Sequence, residues 1–385
     1  MYDFDKPTNR RDTDSVKWNV SDNELPMWIA DMDFETAPCV KEEIIKIAER
    51  GIFGYSIVPD EYFESISDFW YKRYGYRFSP SDMVYVSGVV AGISSMVRKL
   101  TTPAENVLIQ APVYNIFYNS ILNNGRNVLS SDLVYEGGEY RIDFSDLEEK
   151  LKNPQTSLMI LCNPHNPVGK IWDKETLAKI GELCHRYGVT VISDEIHSPL
   201  TVPYKKYVPF ASASEICAEI SVTLVSTSKA FNLAGLQSAA AIAKNPILRH
   251  KVFRGVNTDE VGEPNVFAMR ANIAAYRGGG EWLDALNEYI YENRKTATDI
   301  IEKANCGLNV VFSEASYLLW VDVSAYTYNS EEFCKDLREK TGLYVSDGVE
   351  YGRGGEGFIR INLATQKSNV IDGINRLVSY VKSLK

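Results

Sequence analysis

From about residue 84 the chain alternates short β-branched runs with stretches whose apolar residues recur every three or four positions, and few folds accept that alternation. The runs are VYVS, NVLIQ, SLMILC, VTVIS and SVTLVS. Between them lie segments such as KETLAKIGELCHRYG, which closes on Gly188, where a helix end favours a left-handed residue. Strands that alternate with helices build a mostly parallel sheet covered on both faces, and its ligands sit beyond the C-terminal strand ends. After about residue 280 the pattern changes. A long helical stretch, EWLDALNEYIYENRKTATDIIEKA, is followed by YLLWVDV, a helix around EEFCKDLREK and the run GFIRINLA. The expected organisation is therefore α/β, with a large domain over residues 46–280 and a smaller α+β domain over 281–385. Residues 1–45, rich in Asp, Trp and Pro, lack an independent core and are expected to pack on the smaller domain or on a partner subunit.

With 385 residues, 45% of them hydrophobic, there is material for a large core and a second domain. Acidic residues outnumber basic ones by 51 to 41, and no long basic run occurs, so nucleic acid is not an expected partner. No apolar stretch approaches the roughly 20 residues needed to span a bilayer. Six cysteines are scattered without a paired spacing, and the chain opens MYDFDKPTNRRD rather than with an apolar segment. The expectation is a reduced, cytoplasmic protein. Four histidines form no spaced ligand cluster, so no metal is expected.

Four features fall where strands end. Lys229, in STSKAFNLAGLQ, follows the buried run SVTLV; it is either a loop lysine with its head in water or a desolvated nucleophilic amine. Asp194, in VTVISDEIHSP, ends another strand, where a carboxylate either caps a turn or faces a ligand. Gly88, in SGVVAGISS, opens a helix after a strand, a place that attracts phosphate. The stretch CNPHNPVGK carries two Asn-Pro pairs after SLMIL, and turn chemistry alone accounts for many such stretches.

In that order the four features resemble the class I/II aminotransferase group of pyridoxal-phosphate enzymes, fold type I, over nearly the whole chain. Within it, PMWIADMDF (26–34), GIFGYSIVP (51–59), APVYNIFY (111–118), SDEIHSPL (193–200) and SKAFNLAGLQ (228–237) resemble the cystathionine β-lyase branch, of the MalY and PatB type. The resemblance implies a mostly parallel seven-stranded sheet, pyridoxal 5'-phosphate as cofactor and a homodimer. It implies that Lys229 holds the cofactor and moves the Cα proton, that Asp194 pairs with the ring nitrogen, that Asn166 bonds the ring oxygen and that Tyr114 stacks on the ring. Val89 and Val90 would offer backbone N–H groups to the phosphate, with hydroxyls from Ser226 and Ser228. Tyr55 would reach across the dimer to the neighbouring phosphate, and Arg360 would clamp the substrate carboxylate. Two positions depart from the broader group: Gln237 stands where an Arg is usual, and His197 where a Tyr is common. The implied reaction is β-elimination from cystathionine or a cysteine S-conjugate to a thiol, pyruvate and ammonia. The alternatives are an aminotransferase of the same superfamily and an added role in binding a regulatory protein.

Overall fold

The computed structural model describes residues 2–384. Seven strands form the central sheet: β1 (Met83–Val86), β2 (Asn106–Ile109), β3 (Asn127–Ser130), β4 (Thr156–Cys162), β5 (Thr190–Asp194), β6 (Ser221–Val225) and β7 (Ala239–Ile242). Their order is β1-β7-β6-β5-β4-β2-β3, with β7 antiparallel to both neighbours and the remaining pairs parallel. Every residue of β2 and β6 is buried, because helices cover both faces; hence their sequences read as continuous apolar runs rather than alternating ones. The parallel strands deliver the ends of β1, β4, β5 and β6 to one edge of the sheet.

The helix Val89–Leu100 leaves β1 through Gly88, whose φ of 110° only glycine adopts readily. No side chain caps that helix start, so its first N–H groups point outward without an intrahelical partner.

A second sheet, β8 (Asn309–Val310), β9 (Leu318–Asp322), β10 (Ser346–Asp347) and β11 (Phe358–Asn362), is antiparallel in the order β8-β9-β11-β10. Leu319, Val321, Ile359 and Ile361 of this sheet share a core with Ile374, Leu377 and Val381 of the helix Lys367–Ser383. The helix Gly280–Ala304 joins the two regions: Trp282, Leu286 and Ile290 enter the core beside the large sheet, whereas Ala297 and Ile301 enter the smaller one.

The N-terminal segment ties itself to both. Leu25–Pro26 pairs in parallel with Leu343–Tyr344, and the chain then runs between the two regions. On one side Asn362 N–H donates to the Met27 carbonyl at 2.8 Å and Asp33 N–H to the Ala364 carbonyl at 2.9 Å; on the other, Met32 N–H donates to Asn232 Oδ1 at 3.1 Å.

Candidate active site

The converging strand ends enclose a cavity of about 360 Å³ lined by Gly88, Val89, Val90, Tyr114, Asn166, Asp194, His197, Ser228 and Lys229, together with Ala30, Ser87, Ala91, Cys162, Ile196, Ala234 and Gln237. It is the place where the sheet topology puts ligands.

Lys229 follows β6 by four residues, is half-buried, and its Nζ donates to the Ala30 carbonyl at 2.7 Å. Burial pulls its pKa down to about 8, and nearby Arg360 acts in the same direction against the opposing charges of Asp31 and Asp194. At pH 7 roughly a tenth of such an amine is unprotonated, against almost none for an exposed lysine. Its neighbourhood is that of a nucleophile.

Asp194 ends β5 and is buried, with Oδ1 accepting from the Ile196 N–H at 3.1 Å. Burial raises its carboxyl to about 6, while the Ile196 N–H and Lys229 work to lower it. A buried carboxyl in that condition favours a cationic partner within the cavity. His197 is held neutral: burial, then Lys229 and Arg360, depress it to about 3, and its Nδ1 lies 3.2 Å from Ser316 Oγ.

Arg360, on β11, is buried and reaches the site from the smaller sheet. Its Nη1 donates to Asn166 Oδ1 at 3.2 Å and its Nη2 to the Trp28 carbonyl at 3.0 Å, while Nε has no partner among the described residues. The guanidinium sits 4.9 Å from the centre of the Tyr351 ring. Asn166 is held by the turn after β4, where the Tyr114 N–H donates to its carbonyl at 3.1 Å. Tyr114 is half-buried, its phenol raised by burial and opposed by Arg360.

The seryl pair divides. Ser228 lines the cavity, whereas Ser226 is buried behind it, donating to the Ser238 carbonyl at 2.6 Å and lying 2.7 Å from Ser228 Oγ. Val89 is buried and Val90 exposed, both at the uncapped helix start. Tyr55 lies outside its own chain's cavity, fully exposed in the 51–59 segment. Gln237 lines the cavity in a left-handed conformation with φ 44°.

Reading the sequence missed the acceptors. The carbonyls of Trp28 and Ala30 orient Arg360 and Lys229, and backbone oxygens carry no side-chain signal. It also missed Asn232 and Asn362, which hold the segment bearing those carbonyls; each stands within three residues of a predicted site residue, and that proximity was the available clue.

The groups fit pyridoxal 5'-phosphate at each of its ends: unmet N–H groups at Val89 and Val90 for a phosphate, a buried carboxyl for a ring nitrogen and a lowered-pKa amine for an aldehyde. A lysine-centred cavity at the strand ends of a seven-stranded α/β sheet defines the class. The chain belongs to the aminotransferase class I and II family, whose model matches residues 23–377. It is 40% identical over 380 residues to the cystathionine beta-lyase PatB of Bacillus subtilis, covering 97% of this chain and 98% of that one. It is 32% identical to the MalY protein of Escherichia coli, covering all of both chains. Its fold matches the PLP-bound C-S lyase of Staphylococcus hominis with a TM-score of 0.92, 32% identity and coverage of 99% and 98% of the two chains.

Proposed function

We propose that this protein is a pyridoxal-phosphate-dependent carbon-sulfur β-lyase that cleaves L-cystathionine or related cysteine S-conjugates to a thiol, pyruvate and ammonia. The observation that carries the reading is the Lys229 amine, brought down to about 8 in a cavity that also holds the buried Asp194 and Asn166, the latter bonded by Arg360. Likeness along nearly the full length to proteins named as a cystathionine beta-lyase and a C-S lyase supports this reaction.

When bound, the cofactor supplies an electron sink for the charge left at Cα. Arg360, held by Asn166 and the Trp28 carbonyl, would fix the substrate carboxylate with the planar fork that suits it. Lys229 takes the Cα proton, a task matched by a pKa near working pH. With the cofactor bound, Asp194 would pair with the ring nitrogen and keep it protonated, Tyr114 would pack against the ring and Asn166 would bond its oxygen. Val89, Val90 and Ser228 would hold the phosphate, with Ser226 bracing Ser228 from behind. His197, neutral and tied to Ser316, packs at the cavity wall without carrying charge.

The active form is a homodimer. Ile52, Phe53, Tyr55 and Ile57 all lie exposed on one short segment, an apolar strip that a second copy would cover, and from it Tyr55 would complete the neighbour's phosphate site. Residues 46–280 form the cofactor-binding domain and 281–385 the smaller domain, with the helix Gly280–Ala304 spanning the junction. No helix among the described residues is long and apolar enough to cross a membrane. The six free cysteines fit a reducing compartment, and the proposed location is the cytoplasm.

The test is product analysis of the cofactor-loaded protein with L-cystathionine and no keto acid. Pyruvate and thiol in equal amounts support the lyase. Amino transfer that appears only when a keto-acid acceptor is added replaces it with an aminotransferase.

A further inference from the structure

Residues 1–34 contain a cluster of charges that the reaction does not use. Lys17 is completely buried, and its Nζ donates to Asp33 Oδ2 at 2.8 Å and lies 4.0 Å from Asp31 Oδ1. Arg10 forms a two-pronged pair with Asp31, at 3.1 and 2.8 Å, and reaches Asp33 Oδ1 and the Met32 carbonyl at 3.0 Å each. Trp18 Nε1 donates to Asp33 Oδ1 at 2.8 Å. Buried ion pairs contribute little net stability compared with apolar packing of the same size; what they do well is fix a geometry.

The geometry they fix is that of residues 28–34. Two asparagines grip the same segment from opposite sides. Asn232, three residues after Lys229, donates to the carbonyls of Met32 and Phe34 at 3.0 Å each and accepts from the Met32 N–H. Asn362, two residues after Arg360, donates to the carbonyls of Ile29 and Asp31 at 2.7 and 2.6 Å. Within the gripped stretch the Ala30 carbonyl accepts from Lys229, and immediately before it the Trp28 carbonyl accepts from Arg360.

We propose that the Arg10–Lys17–Asp31–Asp33 cluster is a positioning device: it stiffens residues 28–34 into a spacer that holds the Lys229 amine and the Arg360 clamp in register across the two domains. None of the four residues lines the cavity; they act through the Trp28 and Ala30 carbonyls. The proposal rests on the lyase reading only in calling Arg360 the carboxylate clamp.

The double variant Lys17→Met with Asp33→Asn removes the buried pair without stranding one charge. In the cofactor-loaded protein, amide hydrogen exchange over residues 28–34 is expected to accelerate at least about tenfold, with the strands of the large sheet unchanged. KM for an S-alkyl cysteine is expected to rise about tenfold while kcat changes less than about threefold, the pattern of weakened carboxylate binding. Lys17→Arg alone, which keeps the charge opposite Asp33, is expected to leave both at the parent's values. Should the double variant fail to fold, Arg10→Gln loosens the half-exposed side of the same cluster and is read in the same way. A folded variant with wild-type exchange at 28–34 and wild-type KM overturns the proposal, as does exchange that accelerates uniformly along the chain. If the parent protein releases no pyruvate from any thioether, the lyase reading fails, and the exchange pattern alone still decides whether the cluster stiffens the segment.

Discussion

Two adjacent carboxyls, Asp194 and Glu195, have been taken out of water at the end of β5, and they serve different ends. Asp194 lines the cavity, where a protonated ring nitrogen would neutralise it. Asp194→Asn keeps the size and removes the charge, so the loss should fall on Cα deprotonation rather than on cofactor binding. A group aimed at developing charge contributes roughly 10²–10³ in rate. Solvent-deuterium exchange at Cα and pyruvate release should fall together by that factor while the visible absorption of the bound cofactor persists.

Glu195 faces inward. Its Oε1 accepts from Ser193 Oγ at 3.0 Å and the Phe210 N–H at 2.9 Å, and burial raises its carboxyl to about 7 despite these bonds. The folded-state pKa lies above the ordinary glutamate value, so its favourable contribution is complete below about pH 4.5 and is lost as pH rises through 7. Glu195→Gln does not titrate. Its stability relative to the parent should therefore climb between about pH 4.5 and 7, by roughly 1–3 kcal/mol. Chemical denaturation of both proteins at several pH values checks the sign, and a difference that is flat with pH would mean that Glu195 is already ionised without penalty.

At the scale of elements, the turn CNPHNPVGK does more than reverse the chain. Gly169 has φ 71°, and its carbonyl accepts from the N–H groups of Glu314 and Ala315, so the turn that carries Asn166 is pinned to the segment leading into the smaller sheet. A Cβ at 169 would stand 1.9 Å from Ser313 Oγ. Gly169→Ala should cost roughly 2–4 kcal/mol from the left-handed backbone and the collision together, and should raise KM by displacing Asn166 from Arg360. Thermal unfolding and steady-state kinetics measure the two effects.

Elements with a strong local pattern were legible in the sequence: β1, β2, β4, β5 and β6 coincide with its five β-branched runs, and the long helix begins one residue before the expected stretch. Two strands of the large sheet were not. β7 is AAAI, whose alanines have no strand preference and pack there because helices approach closely, and β3 is NVLS at the sheet edge, half-exposed and short. The cavity's side chains were legible as residue types at strand ends. Its backbone acceptors and the long-range grips on residues 28–34 were not, because they arise from pairs some 200 to 330 positions apart.

For the molecule as a whole, the question is whether one chain makes a complete site. Tyr55 is fully exposed, beside exposed Ile52, Phe53 and Ile57, and takes no part in its own cavity. If it serves the neighbouring subunit, Tyr55→Ala and Lys229→Ala damage the same site from different chains. A hybrid dimer carrying one of each then has one site with both defects and one with neither. Random reassociation of equal amounts makes hybrids half of all dimers, so about a quarter of all sites should be intact. Mixing the two impaired proteins under conditions that exchange subunits should therefore raise the pyruvate-forming rate to about a quarter of the parent's, well above the sum of the separate variants. Because Tyr55 is solvent-exposed within its own chain, its loss should leave the stability of an isolated chain within about 0.5 kcal/mol. Mixtures that never exceed the mean of their components would place Tyr55 outside the neighbouring site and leave the exposed strip without a catalytic reason.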